Sequence, residues 1–375
     1  MGDFMNRVKF IDQIAQGKVS RRTALKAAAA FGVGLAAMPL RAQADSVLTC
    51  MEWSGYDKAD FFKSYVAKHG KVPNFSIFAD ENEALQKVRA GYAADIMHPC
   101  SYSVGPFVEA KIYKPIDTSK LSNWPDIFPT LKNVQGVTMN GEVVMAPADW
   151  GNSGIAYRPD LVDADYQKNE SWGIFADDKY AGRVAMLDNE VVAEIGGLML
   201  GYSPKEIFQM TDEELAATRP FMEKVVKNSR FLWKDNTELD QALASGEVVA
   251  GYAWNVTVKN LKAKNIPVKY ADAKEGVFTW LCGMTLLNTG KADEAAAYDF
   301  VDAWLSPETG KNLIEEDGYG HSNMKAFQIA DPKAIADLGI ADPVKHLQEG
   351  IFLAAVESKR EQKYIKLWEE VKALK

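Results

Sequence analysis

The 375-residue sequence contains only three cysteines and four histidines. Three cysteines cannot build a disulfide scaffold or a zinc site made of thiolates alone, and His69, His98, His321 and His346 match no zinc-ligand spacing. No metal and no other cofactor is expected. Excess positive charge is missing too: 43 Lys+Arg face 51 Asp+Glu, a net charge of −8, which argues against nucleic-acid binding through a basic face. The longest apolar run, Ala27 to Leu40, is broken by Pro39 and falls short of a bilayer span. Catalytic signatures are equally scarce. Every Gly-Lys pair is followed by Val, Ala or Asn, so there is no phosphate-cradling G-x-x-x-x-G-K-[ST] loop. Gly32-Val33-Gly34 follows no strand, Gly151-Asn152-Ser153-Gly154 is one residue short of a G-x-S-x-G nucleophile elbow, and H-E-x-x-H does not occur. An enzyme receives no positive support.

The N-terminus carries the strongest local signal. Ser20-Arg21-Arg22-Thr23-Ala24-Leu25-Lys26 precedes a short Ala- and Gly-rich stretch, and Ala42-Gln43-Ala44 supplies a small-x-small cleavage site. This order reads as a twin-arginine export signal over residues 1–44, with the mature chain starting at Asp45. Removing its seven basic and two acidic residues leaves 36 Lys+Arg against 49 Asp+Glu in 331 residues. The expectation is an acidic protein, without a membrane anchor, in the periplasm, where disulfides persist.

The mature chain alternates strand and helix patterns, as a doubly wound parallel α/β sheet requires. Strands are expected at 46–50, 74–79, 94–97, 142–146, 183–187, 248–254 and 278–287. Helices are expected at 60–69, 195–200, 236–245, 294–305 and 361–374. Thr211-Asp212-Glu213-Glu214 and Ser203-Pro204-Lys205-Glu206 read as capping boxes. Pro147 to Gly154, with one proline and two glycines, reads as a hinge or crossover loop. On the tail helix, Ile365, Trp368, Val371 and Leu374 are expected to form the docking face. Aromatic residues gather where strands meet loops: Trp53, Tyr56, Tyr102, Trp150, Trp254 and Trp280. Ligands of open α/β sheets sit at such strand ends, where rings can cage an organic cation at about 0.5–2 kcal/mol per contact.

Local landmarks along nearly all of the mature chain resemble the bacterial periplasmic spermidine/putrescine-binding proteins of ABC importers. They are Glu52-Trp53-Ser54-Gly55-Tyr56, Pro99-Cys100-Ser101-Tyr102, Asp149-Trp150-Gly151, Leu187-Asp188, Leu200-Gly201-Tyr202-Ser203, Gly246-Glu247-Val248 with Ala253-Trp254-Asn255, Gly276-Val277-Phe278-Thr279-Trp280, and Asp317-Gly318-Tyr319. The resemblance implies a type II-like, two-lobed periplasmic binding protein fold. Each lobe would be a doubly wound, mostly parallel sheet, and two crossovers would flank an interlobe cleft. Implied divisions are 45–149 for lobe 1, 150–276 for lobe 2, 277–323 for a return to lobe 1, and 324–375 for C-terminal helices on lobe 2. Trp53, Tyr56, Tyr102, Trp254, Trp280 and Tyr319 would stack on ligand, and Asp188 would take an ammonium group. The sequence departs from the family at Val191 and Cys282, where carboxylates are usual, and at Cys100, where serine is. Asp149 beside Trp150 is a replacement carboxylate or a turn residue. Cys100 and Cys282 line one lobe as a disulfide, with Cys50 buried in its strand, or all three stay separate thiols.

The resulting expectation is a monomeric solute-binding protein that delivers a small, polyamine-like organic cation to an ABC permease. Two alternatives stay open. A zwitterion or anion, such as an amino-acid derivative or organophosphonate, would need a cationic anchor, with Arg158 and Arg183 nearest by sequence. An exported enzyme would use Asp149 and Asp188 as an acid/base pair.

Overall fold

Apolar strands separated by helices dominate the computed structural model, which describes residues 47–78, 81–340 and 342–374. The export signal and its cleavage site lie outside these residues. Eight principal strands are β1 (Thr49–Trp53), β2 (Asn74–Phe78), β3 (Ile96–Met97), β4 (Ala146–Tyr157), β5 (Val184–Leu187), β6 (Ser229–Trp233), β7 (Ala250–Trp254) and β8 (Phe278–Leu287). They follow the order β2-β1-β3-β8-β4-β7-β5-β6. β1 is parallel to β2 and β3, and β5 is parallel to β6 and β7. Between these two parallel groups, β4 and β8 run antiparallel to one another and to the strands that flank them.

The 147–154 segment is therefore strand, not loop. All twelve residues of β4 are buried. Its turn-forming residues have other uses. Register slips between Cys282 and Gly283, which pair with Asp149 and Pro147, so the proline sits beside a bulge. Asn152 is held from several sides: its N–H donates to Asn255 Oδ1 at 2.5 Å, its Nδ2 donates to Thr279 Oγ1 at 3.1 Å, and its Oδ1 meets His346 Nε2 at 2.9 Å.

Buried side chains divide into two cores. One gathers residues from Leu48 to Trp150 and from Leu281 to Leu347. The other gathers Ile155 to Phe278, together with Ile351, Tyr364, Trp368 and Val371. β4 and β8 each run from one core into the other. The C-terminal region divides between the cores: Ala326, Ala330, Ile335, Leu338, Ile340 and Leu347 belong to the first and Ile351 to the second, so 324–375 does not lie on lobe 2 alone.

Seven helices position the site: α1 (Lys63–His69), α2 (Val191–Met199), α3 (Asp212–Asn228), α4 (Asn236–Ser245), α5 (Asn255–Ala263), α6 (Glu294–Trp304) and α7 (Ser358–Lys372). α3 starts in a complete capping box between Thr211 and Glu214. α4 is capped by Asp235 and stopped by Gly246 at φ 76°, a left-handed conformation that glycine adopts without strain. Along α7 the buried residues are Tyr364, Trp368 and Val371, at i, i+4 and i+7, whereas Ile365 and Leu374 are exposed. The docking face is thus turned by one residue from the expected one. The Tyr364 hydroxyl fixes it by donating to Ile207 O at 2.8 Å and accepting from Met210 N at 3.0 Å. Among the described residues, no helix is long and apolar enough to cross a membrane.

Candidate functional site

The carboxyl ends of β1 and β3 lie side by side. Glu52 is the last residue but one of β1, His98 directly follows β3, and Asp149 lies within β4. His98 Nδ1 lies 2.7 Å from Glu52 Oε1, and Nε2 lies 2.7 Å from Asp149 Oδ1. The Tyr56 hydroxyl donates to Asp149 Oδ2 at 2.8 Å, and Glu52 Oε1 also accepts from Trp53 N at 2.9 Å. His98 and Asp149 are fully buried and Glu52 is 1% exposed.

Burial alone would push the imidazole down. The charges and hydrogen bonds of Glu52 and Asp149 outweigh it and lift His98 to about 10, so it is an imidazolium at neutral pH. Burial raises Glu52, with His98 opposing. Tyr56 is pushed well up by burial and then by Asp149, which keeps the phenol protonated and donating. When both carboxylates are ionised, one negative charge is left over, and Glu52 Oε2 is buried without a hydrogen-bond partner. Asp149 is therefore a strand residue in a buried charge cluster rather than a turn residue capping its own backbone.

The two expected cysteines meet beside this cluster. Cys100 and Cys282 form a disulfide, Cys282 pairs with Asp149 across the ladder, and Cys50 is free and buried. Trp280 and Tyr319 stand edge to face with centroids 5.0 Å apart. Both press on Gly151, where an added Cβ would sit 2.3 Å from Trp280 Cζ2 and 3.1 Å from Tyr319 Cδ1, so only glycine admits the rings. Trp53 is half-buried against the Phe78 ring at 4.4 Å. Tyr102, also half-buried, lies in the short turn after Cys100.

Trp150 is a different case. It is 1% exposed, donates from Nε1 to His321 O at 3.0 Å, and packs under Gly320 and beside His346. It is a core residue, not a cleft wall.

At the other group of parallel strands, the carboxyl ends of β5, β6 and β7 carry Leu187 with Asp188, Trp233 and Trp254. Trp254 is half-buried and meets Trp233 edge to face at 5.2 Å. Asp188 N donates to Trp233 O at 2.9 Å. Its carboxylate is not open. Oδ1 accepts from Trp368 Nε1 at 2.9 Å and Lys372 Nζ at 2.7 Å, both on α7, and Oδ2 lies 3.3 Å from Lys234 Nζ. Burial works against the charged form, but these donors hold the carboxyl below its usual range. Asp188 is thus engaged within the chain, contrary to its expected role as an open ammonium partner.

Neither arginine reaches these strand ends. Arg158 follows β4 and pairs with Asp160 at 2.7 Å, while its Nη1 donates to Leu243 O at 2.8 Å. Arg183 precedes β5 and donates to Gly246 O at 3.2 Å. Both lie at the amino ends of β5 and β7, opposite Trp254, so the expected anchors for an anion are in the wrong place. The acid/base pair loses its members as well, since Asp149 is tied to His98 and Tyr56, and Asp188 to two lysines.

Contacts between the two cores come from α5, whose Val258 and Leu261 belong to the second. Lys259 Nζ donates to Glu315 O at 2.8 Å, and Lys262 Nζ reaches Asp337 Oδ1 at 3.1 Å. Glu52 and His98 were missed as site residues. The one local sign was His98 directly after a short apolar strand, which any loop residue shares.

The profile of the family described as Bacterial extracellular solute-binding protein matches residues 62–340. The spermidine/putrescine-binding periplasmic protein of Escherichia coli K12 is 24% identical over 355 residues, covering 92% of this chain and 97% of that protein. The putrescine-binding periplasmic protein SpuD of Pseudomonas aeruginosa is 24% identical over 352 residues, covering 88% and 92%. The crystal structure of the spermidine/putrescine transporter substrate-binding protein PotD from Streptococcus pneumoniae superposes with a TM-score of 0.75 at 21% identity, covering 87% of this chain and 98% of that one.

Proposed function

Because the chain belongs to the bacterial extracellular solute-binding protein family, we propose that it is the periplasmic binding component of an ABC importer and delivers a small organic cation to its permease. One observation carries the choice of a cation: the strand ends of the first lobe bury two carboxylates around a single imidazolium, beneath aromatic rings and away from both candidate arginines.

In this reading Tyr56, Tyr102, Trp53, Trp280 and Tyr319 line the first lobe's side of the cleft, with the Cys100–Cys282 disulfide as part of that wall. Trp254 lines the second lobe's side. Asp149 acts through the Tyr56 hydroxyl and through its charge rather than by open contact. The ligand is held first by lobe 1, and closure brings Trp254 onto it. It stabilises the closed arrangement by binding that arrangement more tightly than the open one. The Lys259 and Lys262 contacts add to the closed side of that balance. No covalent bond is made or broken, and the protein acts as a monomer.

A thermal-shift screen of amines, amino acids and phosphonates, followed by calorimetry on each hit, tests the proposal. An amine at about 100 times its dissociation constant adds roughly 2.7 kcal/mol of stability. Shifts produced by amino acids or phosphonates but by no amine would overturn the cation assignment.

A further inference from the structure

Asp188 stands at the carboxyl ends of the second lobe's parallel strands, on the same edge as Trp254, where a ligand crossing from the first lobe would arrive. Both its oxygens are engaged by the chain itself. Lys372 Nζ, on the last turn of α7, sits on Oδ1 at 2.7 Å together with Trp368 Nε1 at 2.9 Å, and Lys234 Nζ approaches Oδ2 at 3.3 Å. α7 is not a loose tail. Tyr364, Trp368 and Val371 are in the second core, and Arg360 and Lys363 pair with Asp212 at 2.5 and 2.6 Å.

Lys372 Nζ also pairs with Glu369, three residues earlier on α7, at 2.7 Å. Glu194 of α2 is buried and lifted to about 8, by burial first and then by Glu190 and Glu361, so it is largely a neutral carboxyl at pH 7. Burial raises Glu190 as well. The first lobe, by contrast, sets two carboxylates, Glu52 and Asp149, against the single imidazolium of His98. Asp317, also in that lobe, is paired with Lys58 at 2.6 Å. Asp240 of α4, also buried, is held by the amides of Asn236 at 3.1 Å and Asn260 at 2.8 Å, whereas Asp188 has its charge met by lysines of the chain itself.

We propose that Lys372 supplies, from within the chain, the ammonium that Asp188 would otherwise take from a ligand, so that the cleft selects ligands with one cationic group over α,ω-diamines. This rests on the cation reading above. It gives Lys372 a role in specificity without contact with the ligand.

Calorimetry on the full mature chain tests it with a matched pair, 4-amino-1-butanol and 1,4-diaminobutane, which differ only in whether the second end is a hydroxyl or an ammonium. Wild type is expected to bind the amino alcohol at least tenfold more tightly. Lys372→Met is expected to raise diamine affinity at least tenfold and to leave the amino alcohol within about twofold, whereas Lys372→Arg keeps the wild-type ratio. A wild-type preference for the diamine overturns the proposal, as does an unchanged ratio in a Lys372→Met protein that melts near the wild-type temperature. Asp188→Asn gives a second route should Lys372→Met not fold. It is expected to leave amino alcohol affinity within about twofold, and a tenfold loss would overturn the proposal. Binding of neither compound removes the cation reading and this inference with it, whereas diamine preference removes this inference alone.

Discussion

Replacing His98 by glutamine tests whether the buried imidazolium is structural. In wild type, His98 is raised to about 10, so its contribution to stability is complete below the unfolded histidine value near 6.5 and is lost as pH rises from there through about 10. The variant keeps Glu52 and Asp149 where they are, 1% and 0% exposed, and removes the one positive charge that, among the described residues, is hydrogen-bonded to either. Breaking a buried pair in this way costs about 3–5 kcal/mol, because the remaining charges stay desolvated. With about 2.1 cal/mol/K of unfolding entropy per residue over some 330 residues, that deficit lowers the melting temperature by about 4–7 °C. The pH dependence gives the cause. Glu52 is already raised by burial, and without the imidazolium it loses the group that opposes that rise, so the variant keeps its stability only below the unfolded glutamate value near 4 and loses it as pH rises. The gap to wild type should be small at pH 4 and full at pH 7. Adding Glu52→Gln to His98→Gln should restore part of the loss by removing one of the two charges. Denaturation curves at both pH values decide it. A deficit under about 1 kcal/mol at pH 7, or one that does not shrink in acid, would refute the account.

Three further outcomes follow from other sites. The Cys100–Cys282 bond spans 182 residues, and replacing both cysteines by serine should cost about 2–5 kcal/mol in the melting of oxidised protein, while dithiothreitol should no longer shift the variant. Glu194 is raised to about 8 by burial, so its neutral form supports folding below about pH 4.5 and that support fades as pH rises through 8; Glu194→Gln should stabilise the protein by roughly 2–4 kcal/mol at pH 8.5 and change it little at pH 5, and equal effects at both pH values would contradict this. Changing Arg21 and Arg22 together to lysine should leave the precursor in the cytoplasm, as fractionation would show, and undiminished export would remove the twin-arginine assignment.

Several regular elements were legible from local pattern, but the expected strand at 142–146 is not one strand: Glu142–Val143 pairs with Thr138–Met139, and β4 begins only at Ala146. Phe278–Leu287 and Asn236–Ser245 have the expected bounds, and the expected helix at 294–305 ends one residue earlier, at Trp304. β4 was not legible, because Pro147, Gly151 and Gly154 usually mark a turn. Here each answers to a neighbour that only the tertiary fold supplies: the slip opposite Gly283, the rings of Trp280 and Tyr319, and the Tyr270 ring that an added Cβ at Gly154 would meet at 2.8 Å. The charge cluster was hidden for the same reason. Glu52 and His98 are 46 residues apart and His98 and Asp149 are 51 apart, so no spacing rule joins them. Asp188 was found by its local motif, but its partner Lys372 lies 184 residues further on. A motif can mark where a carboxylate stands. It cannot tell whether a distant lysine has already reached it.

The crossover strand explains why charge and rings belong to one lobe before closure. Asp149 and Gly151 are two residues apart, so they lie on the same face of β4, roughly 6.5–7 Å from each other. The first meets Tyr56 and His98, and the second meets Trp280 and Tyr319. Anchor and wall are thus set by a single stretch of strand on the first-core side, and rotation of the second lobe beyond it need not disturb either. Trp254 pairs with Ser153, past that stretch, and moves with the second core. On the proposed reading, a cation would be held by this half-site in the open arrangement, and the energy of closing would come from what the second lobe adds: one indole face and the Lys259 and Lys262 contacts. Because those contacts join protein to protein, weakening them should lower ligand affinity without changing which ligand is preferred. On the proposed reading, selection then remains with Asp149 and with whatever occupies Asp188.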